Sequence, residues 1–288
     1  MNRRHFIQAG LASSLTIPAF ALEANNAYRS NIGIQLYTLR NQIKKDVAGT
    51  LKAVAEAGYK QVEAYGFPGA GDMMAAAKDN GMAVNSSHFA WESVTNPDKK
   101  GVQPFAEILQ AAKDAKLTHL VIPYLHGHNR KDLDAYKTVA ERMNKAAAEA
   151  KKAGIQLSYH NHAFEFQPMD GGKCGYDVFV EEFAPEMQFE IDVFWVVVGG
   201  KDPVELIRSL KGRVSQLHLK DLQKGTTLPN FGKLPNEAFK ELGNGMIPME
   251  PIIKAAADTK VAHCHVEQDQ SPDPVASIKT SMKHLKSL

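Results

Sequence analysis

From residue 31 onward the chain alternates between two rhythms of apolar and polar positions. Short runs at residues 32–36, 61–65, 82–88, 120–125, 155–159, 187–192, 214–219 and 261–266 read as strands. Stretches at 47–57, 72–78, 104–115, 131–152, 176–183, 203–210, 250–257 and 274–285 follow them and read as helices, most with apolar residues at helical spacing. Gly58, Gly81 and Gly154 close three of these helices, and Asp202-Pro203 opens another with an N-cap and a proline at its first position. Eight strands, each followed by a helix, predict a (β/α)8 TIM barrel in one domain. The competing open doubly wound sheet carries a Gly-rich turn after its first strand, and none follows Leu36.

The first residues break this rhythm. Arg3-Arg4-His5-Phe6-Ile7 precedes a short, weakly apolar run and then Ala19-Phe20-Ala21. Charge, apolar run and small-residue site stand in the order of an export signal, too short for a stable membrane anchor. The paired arginines resemble a twin-arginine signal. The expected organisation is a signal over 1–21 and a barrel domain over 22–288, with export by the twin-arginine machinery to the periplasm. That route carries folded proteins, which agrees with a cofactor inserted before transport.

Composition narrows the partners. The 288 residues are 44% hydrophobic and 23% charged, an ordinary soluble balance. Lys and Arg number 34 against 32 Asp and Glu, so loss of Arg3 and Arg4 leaves no net charge. A neutral chain gives no support to a nucleic-acid or anionic-membrane partner. Two cysteines, Cys174 and Cys264, are no disulfide framework, and both read as free thiols. The oligomeric state stays open, a homo-oligomer among the options.

Chemistry gathers where the strands end. In a barrel of this kind the working residues stand at those positions. They are Gln35, Glu63, His88, Tyr124 with His126, then His160, His162 and Glu165, Asp192, His218 with Lys220, and His265 with Glu267. His160 and His162, two apart, share a strand face, and Glu165 lies just beyond, where the chain can turn it back over them. Such a cluster either holds a cation or polar ligand or is a pair of hydrogen-bonded core histidines beside a carboxylate. Carboxylate and imidazole ligands together suit Mn, Zn, Co or Fe in the +2 state.

Tyr159-His-Asn-His162, Ile191-Asp-Val-Phe-Trp195, Leu217-His-Leu-Lys-Asp221 and His265-Val-Glu267 resemble the xylose isomerase-like barrels. These form the sugar phosphate isomerase/epimerase superfamily, which includes ketose 3-epimerases, hydroxypyruvate isomerase, inosose dehydratase and endonuclease IV. The resemblance runs over about residues 31–286. It implies a divalent metal held by a Glu, an Asp, a His and a Glu on successive strands. Asp192, His218 and Glu267 match the last three. Many members have Glu-Asn-His where this chain has His160-Asn161-His162. Either His160 replaces the first ligand or Glu165 reaches in, and Glu165 is favoured because it keeps three carboxylates.

The resemblance then implies proton abstraction beside a sugar carbonyl, giving an enediolate, with Glu165 and Glu267 as base candidates. His88, His160, His162, Trp195 and Lys220 are the expected substrate contacts, with Phe89 and Trp91 as further stacking candidates. Lys220 either neutralises a developing oxyanion or pairs with Asp221 or another barrel carboxylate. The expected activity is isomerisation or epimerisation of an unphosphorylated sugar or keto-sugar. Its alternative is a lyase or dehydratase acting on a keto-sugar, inosose or 3-ketoglycoside, and a non-catalytic sugar-binding barrel is a third reading. The zero charge disfavours a nuclease.

Overall fold

The computed structural model describes residues 31–288, so the expected export signal lies outside the described residues. Eight parallel strands close into a barrel: β1 (Gly33–Gln35), β2 (Gln61–Phe67), β3 (Ala83–Phe89), β4 (His119–Ile122), β5 (Gln156–His160), β6 (Met187–Asp192), β7 (Val214–Leu219) and β10 (His263–Val266). The chain order runs once around the barrel, and β10 closes it by pairing in register with β1 at Gly33–His265 and Ile34–Val266. Between β7 and β10, β8 (Asp221–Leu222) and β9 (Phe239–Lys240) form a small antiparallel ribbon. The fold is the (β/α)8 barrel expected from the alternation.

Several boundaries differ from expectation for local reasons. Pro123 cannot donate a ladder hydrogen bond, and β4 stops at Ile122. The polar stretch after β3 contains a short helix, Glu92–Thr95. An unforeseen helix, Val193–Val198, starts directly at the end of β6. Its start is stabilised by Asp192, whose Oδ1 accepts from the backbone N–H groups of Phe194 (3.0 Å) and Trp195 (3.2 Å).

The strands present different chemistry to their two sides. Ile34, Val62, Leu120, Ile122, Leu157, Tyr159, Ile191 and Leu217 are buried in one continuous apolar cluster with the helices. Residues alternating with them point into the barrel, and these are mostly polar: Gln35, Glu63, Ser86, Ser158, Glu190, Gln216 and His265, all fully buried. Val121 is fully buried yet stands apart from the apolar cluster. Gly33 leaves room for this filling, since a Cβ there would come within 2.3 Å of the His265 ring and 2.8 Å of Gln61.

Candidate active site

The upper end of this polar interior carries the groups of interest. His160 ends β5, Asp192 ends β6, His218 lies near the end of β7, and Glu267 directly follows β10. One ligand atom from each of the four lies within 4.8 Å of all the others, and all four residues are buried. His160 Nε2 is 3.2 Å from Asp192 Oδ2, and His218 Nδ1 is 2.8 Å from Glu267 Oε2. Asp192 Oδ1 is committed to the helix that follows, so Oδ2 is the oxygen it offers to the site.

A second group lies one layer deeper and shares His218. Glu63, His88, Glu190 and His218 also bring ligand atoms within 4.8 Å of one another. His218 joins the layers with its two nitrogens: Nδ1 faces Glu267, while Nε2 is 2.7 Å from Glu63 Oε1 and 3.4 Å from Glu190 Oε2. His88 Nε2 lies 3.2 Å from Glu63 Oε1 and 3.3 Å from Glu190 Oε2. Glu63 also accepts from Gln35 Nε2 at 2.7 Å, from Ser86 Oγ, and from Gln216 Nε2 at 3.3 Å. Gln216 donates to Glu190 Oε1 as well, at 3.0 Å. The lower carboxylates are thus satisfied within the protein. Their hydrogen bonds hold the His218 ring in place, as a supporting carboxylate does for a ligating histidine.

The upper set suits a divalent cation on two observations. Its donors are two imidazole nitrogens and two carboxylate oxygens, a mixture fitting Zn, Mn, Fe or Co. His218 Nδ1 is buried without a hydrogen bond despite lying 2.8 Å from Glu267 Oε2. Burial opposes charge on this ring, but the Glu190 and Glu267 carboxylates outweigh it and hold a proton there, and a cation at the cluster would take that proton's place.

Charge tuning follows the same geometry. Burial pushes the Asp192 pKa upward, but the Lys220 ammonium and then His160 outweigh it and hold Asp192 at about 2. Burial likewise works against charge on Glu267 and Glu63. Lys220 and His218 keep the first well below the carboxylate range, and His88 and His218 do so for the second. Burial depresses His88, yet the Glu63 and Glu190 carboxylates raise it to about 9. His160 and His162 shift the other way, lowered chiefly by burial.

The expected first ligand needs correction. Glu165 belongs to neither cluster. Its carboxylate accepts from the Tyr159 hydroxyl and from the His162 backbone N–H at 2.8 Å. Tyr159 precedes His160, so it points out of the barrel, where it packs on Phe179 at 4.8 Å. The Phe164–Phe166 turn folds Glu165 onto that outer side instead of over the mouth. His160 takes the place in the cluster, and Glu165, expected as a ligand and a base, stands outside it with Tyr159 and the His162 N–H as partners. Burial raises Glu165 to about 8, with the Tyr159 hydrogen bond opposing the shift.

The other expected residues meet at a cleft of about 580 Å³ bordered by His88, His160, His162, Trp195, Lys220 and Glu267. His162 stacks on Phe164 at 5.2 Å and leans on Trp195 at 5.3 Å. Tyr37, Tyr65, Trp91 and Tyr124 complete an aromatic rim. Lys220 pairs with Asp192, Glu267 and Asp269, not with Asp221. Asp221 instead accepts from the backbone N–H groups of Leu222, Gly243, Gly245 and Ile247, fastening the loop before the next helix. Both cysteines are buried and free. Among the described residues, no helix is long and apolar enough to cross a membrane.

Sequence reasoning passed over Glu190 and Asp269 and gave Glu63 no role. A signal for the first and last existed: Gln61-x-Glu63, Gln188-x-Glu190-x-Asp192, Gln216-x-His218-x-Lys220 and His263-x-His265-x-Glu267 each put polar groups on one strand face. Asp269 lies in a loop and carries no such signal.

A parallel barrel with a carboxylate–imidazole centre at the C-terminal ends of its strands defines a class of TIM-barrel proteins. The chain belongs to the xylose isomerase-like TIM barrel family, whose model matches residues 51–288. A sugar phosphate isomerase/epimerase from Parabacteroides distasonis is 26% identical, with a TM-score of 0.70 over 88% of this chain and 97% of that one. The IOLI protein, solved with a zinc atom, has a TM-score of 0.68 at 14% identity over 89% of this chain and 98% of that one, a likeness of fold. An inosose dehydratase from Clostridium perfringens is 30% identical over 148 residues, 48% of this chain and 49% of the relative. The chain thus spans about half the length of the curated relatives it matches.

Proposed function

We propose that this protein is a divalent-metal-dependent isomerase or epimerase of an unphosphorylated sugar or keto-sugar. The observation that carries the reading is the convergence of His160, Asp192, His218 and Glu267 on one point, with His160 and Glu267 of that cluster bordering an aromatic-rimmed cleft. Held by these four, Mn, Zn, Co or Fe supplies Lewis acidity that makes the C–H beside a sugar carbonyl easier to ionise. Glu267 is the base: it is kept ionised, His218 and Lys220 both hold its Oε2, and its Oε1 carries no ion pair or hydrogen bond among the described residues, whereas Asp192 commits its Oδ1 to the helix that follows. Proton removal gives an enediolate, and return of the proton to a neighbouring carbon or the opposite face completes isomerisation or epimerisation. Trp195 and the rim tyrosines offer flat apolar surface to the C–H face of a sugar. The expected export favours a substrate without a phosphate, since sugar phosphates are scarce outside the cytoplasm; among the described residues the cleft is bordered by Lys220 and Lys233 and by no arginine.

The likeness to inosose dehydratase supports a second reading, in which the same enediolate expels a β-substituent. One experiment separates the two. Metal-loaded protein is incubated in D2O with a panel of sugars and keto-sugars. Deuterium at one carbon of an isomerised product supports the first reading, and an unsaturated product supports the second. Absence of exchange with every sugar that binds counts against both enzymes and for a sugar-binding barrel. The proposal includes export to the periplasm with loss of about 21 residues, on the Arg3-Arg4 and Ala19-Phe20-Ala21 pattern. N-terminal sequencing of the periplasmic protein then reads from Leu22, and an intact cytoplasmic chain overturns it.

A further inference from the structure

The upper cluster already contains a cation of its own. Lys220 stands two residues after His218 and points into the same site. Its Nζ is 2.9 Å from Asp192 Oδ2, 2.7 Å from Glu267 Oε2 and 2.9 Å from Asp269 Oδ2. The first two oxygens are those that approach His160 Nε2 and His218 Nδ1. Asp192 has no substitute to offer, because its Oδ1 holds the Val193–Val198 helix.

A divalent ion bound by carboxylate oxygens sits about 2.0–2.2 Å from each. Any such ion at Asp192 Oδ2 and Glu267 Oε2 lies within a few ångströms of an ammonium on the same two atoms. Like charges at that separation in a buried site repel strongly. Asp269 offers the way out. It holds Nζ without belonging to the ligand set, and its side chain is 15% exposed on the cleft side. The charges agree with an added ion: Asp192, Glu267 and Asp269 are three carboxylates around one ammonium.

We propose that Lys220 is the resident counter-ion of the site, which a divalent metal displaces from Asp192 and Glu267 toward Asp269, so that metal loading turns its ammonium into the cleft. Lys220 is then a positioning residue in the metal-free protein and a substrate-facing cation in the loaded one. The inference rests on the metal reading above and adds what the site does before the metal arrives.

Two measurements test it. Calorimetric titration of metal-free full chain with Zn2+ compares wild type with Lys220→Met. Removal of the competing charge is expected to tighten binding by about tenfold or more, since nearby like charge opposes a buried cation. Equal or weaker binding by Lys220→Met overturns the assignment and leaves the metal reading intact. Binding by neither protein overturns both. The second measurement uses wild type alone, and so survives a variant that fails to fold. Amine acylation at Lys220, followed by peptide mass spectrometry, is expected to rise severalfold on adding Zn2+, and unchanged or reduced labelling overturns the displacement.

Discussion

The two sides of the barrel wall solve burial in opposite ways. Outside, between strands and helices, Leu157, Tyr159, Ile191, Leu217 and Phe179 exclude water by packing. Inside, Glu63, Ser86, Glu190, Gln216 and His218 are equally buried and are held by hydrogen bonds and charge pairs. TIM-barrel interiors are ordinarily filled by bulky branched apolar residues. Here stability is left to the outer layer, and the interior supports the ring of ligand-type groups above it.

Carboxylates report the difference most directly. Glu63, Asp192 and Glu267 lie inside, and cationic partners overcome the cost of burial and keep them ionised. Glu165 lies on the outer side a few residues from His160. With no cation in hydrogen-bond reach, burial wins and its pKa rises to about 8. The same residue type, separated by the thickness of one strand, acquires opposite acid–base character. Location relative to the wall decides whether a buried acid serves chemistry or architecture.

The sharpest way to break the comparison is at Glu267. Glu267→Gln keeps the side-chain shape and removes the proton acceptor. Substrate deuterium exchange should fall by about 10²–10⁴, the usual worth of a general base, with the fold unchanged by circular dichroism. Full exchange in metal-saturated variant would remove Glu267 as the base. On the outer side the corresponding loss is stability. Phe179 is fully buried against Tyr136, Tyr159 and Phe183. Phe179→Ala should cost about 3–5 kcal/mol in denaturant unfolding. Zn2+ affinity of the folded fraction should be kept, and its parallel loss would mean that the two regions are not separate.

A subtler effect is expected at Glu63, which stands behind the His218 ring and outside the upper ligand set. Glu63→Gln should weaken Zn2+ binding by about 10–100-fold, the usual cost of losing the carboxylate behind a ligating histidine. A titration indistinguishable from wild type would mean that the lower layer only fills space. The smallest effect concerns pH. Glu165 binds its proton more tightly folded than unfolded, so from this group stability declines as pH rises from the ordinary carboxylate range through about 8. Glu165→Gln keeps an acceptor for Tyr159 and the His162 N–H and removes that decline. Its Tm relative to wild type should improve between pH 5 and 8, by about 2–4 °C for each kcal/mol relieved. A constant difference across that range would contradict the raised pKa.

Much of this was legible in the chain because it is local. Strand and helix rhythms name their own elements, and their count and alternation lead to a closed parallel barrel. Period-two alternation put His218 and Lys220 on one face, and strand ends drew attention to Asp192 and Glu267. Tertiary structure alone decided which faces meet. Glu63 reaches His218 from β2 to β7, strands that are not neighbours, and only barrel closure brings them within 2.7 Å. The fate of Glu165 was open for a related reason. A short turn after β5 can fold to either side of the wall, and the buried Tyr159 hydroxyl, which points to the outer side, supplies the partner found there. Sequence spacing says that two side chains share a strand face. It carries no information on which distant strand they face, because that depends on the curvature and closure of the whole sheet.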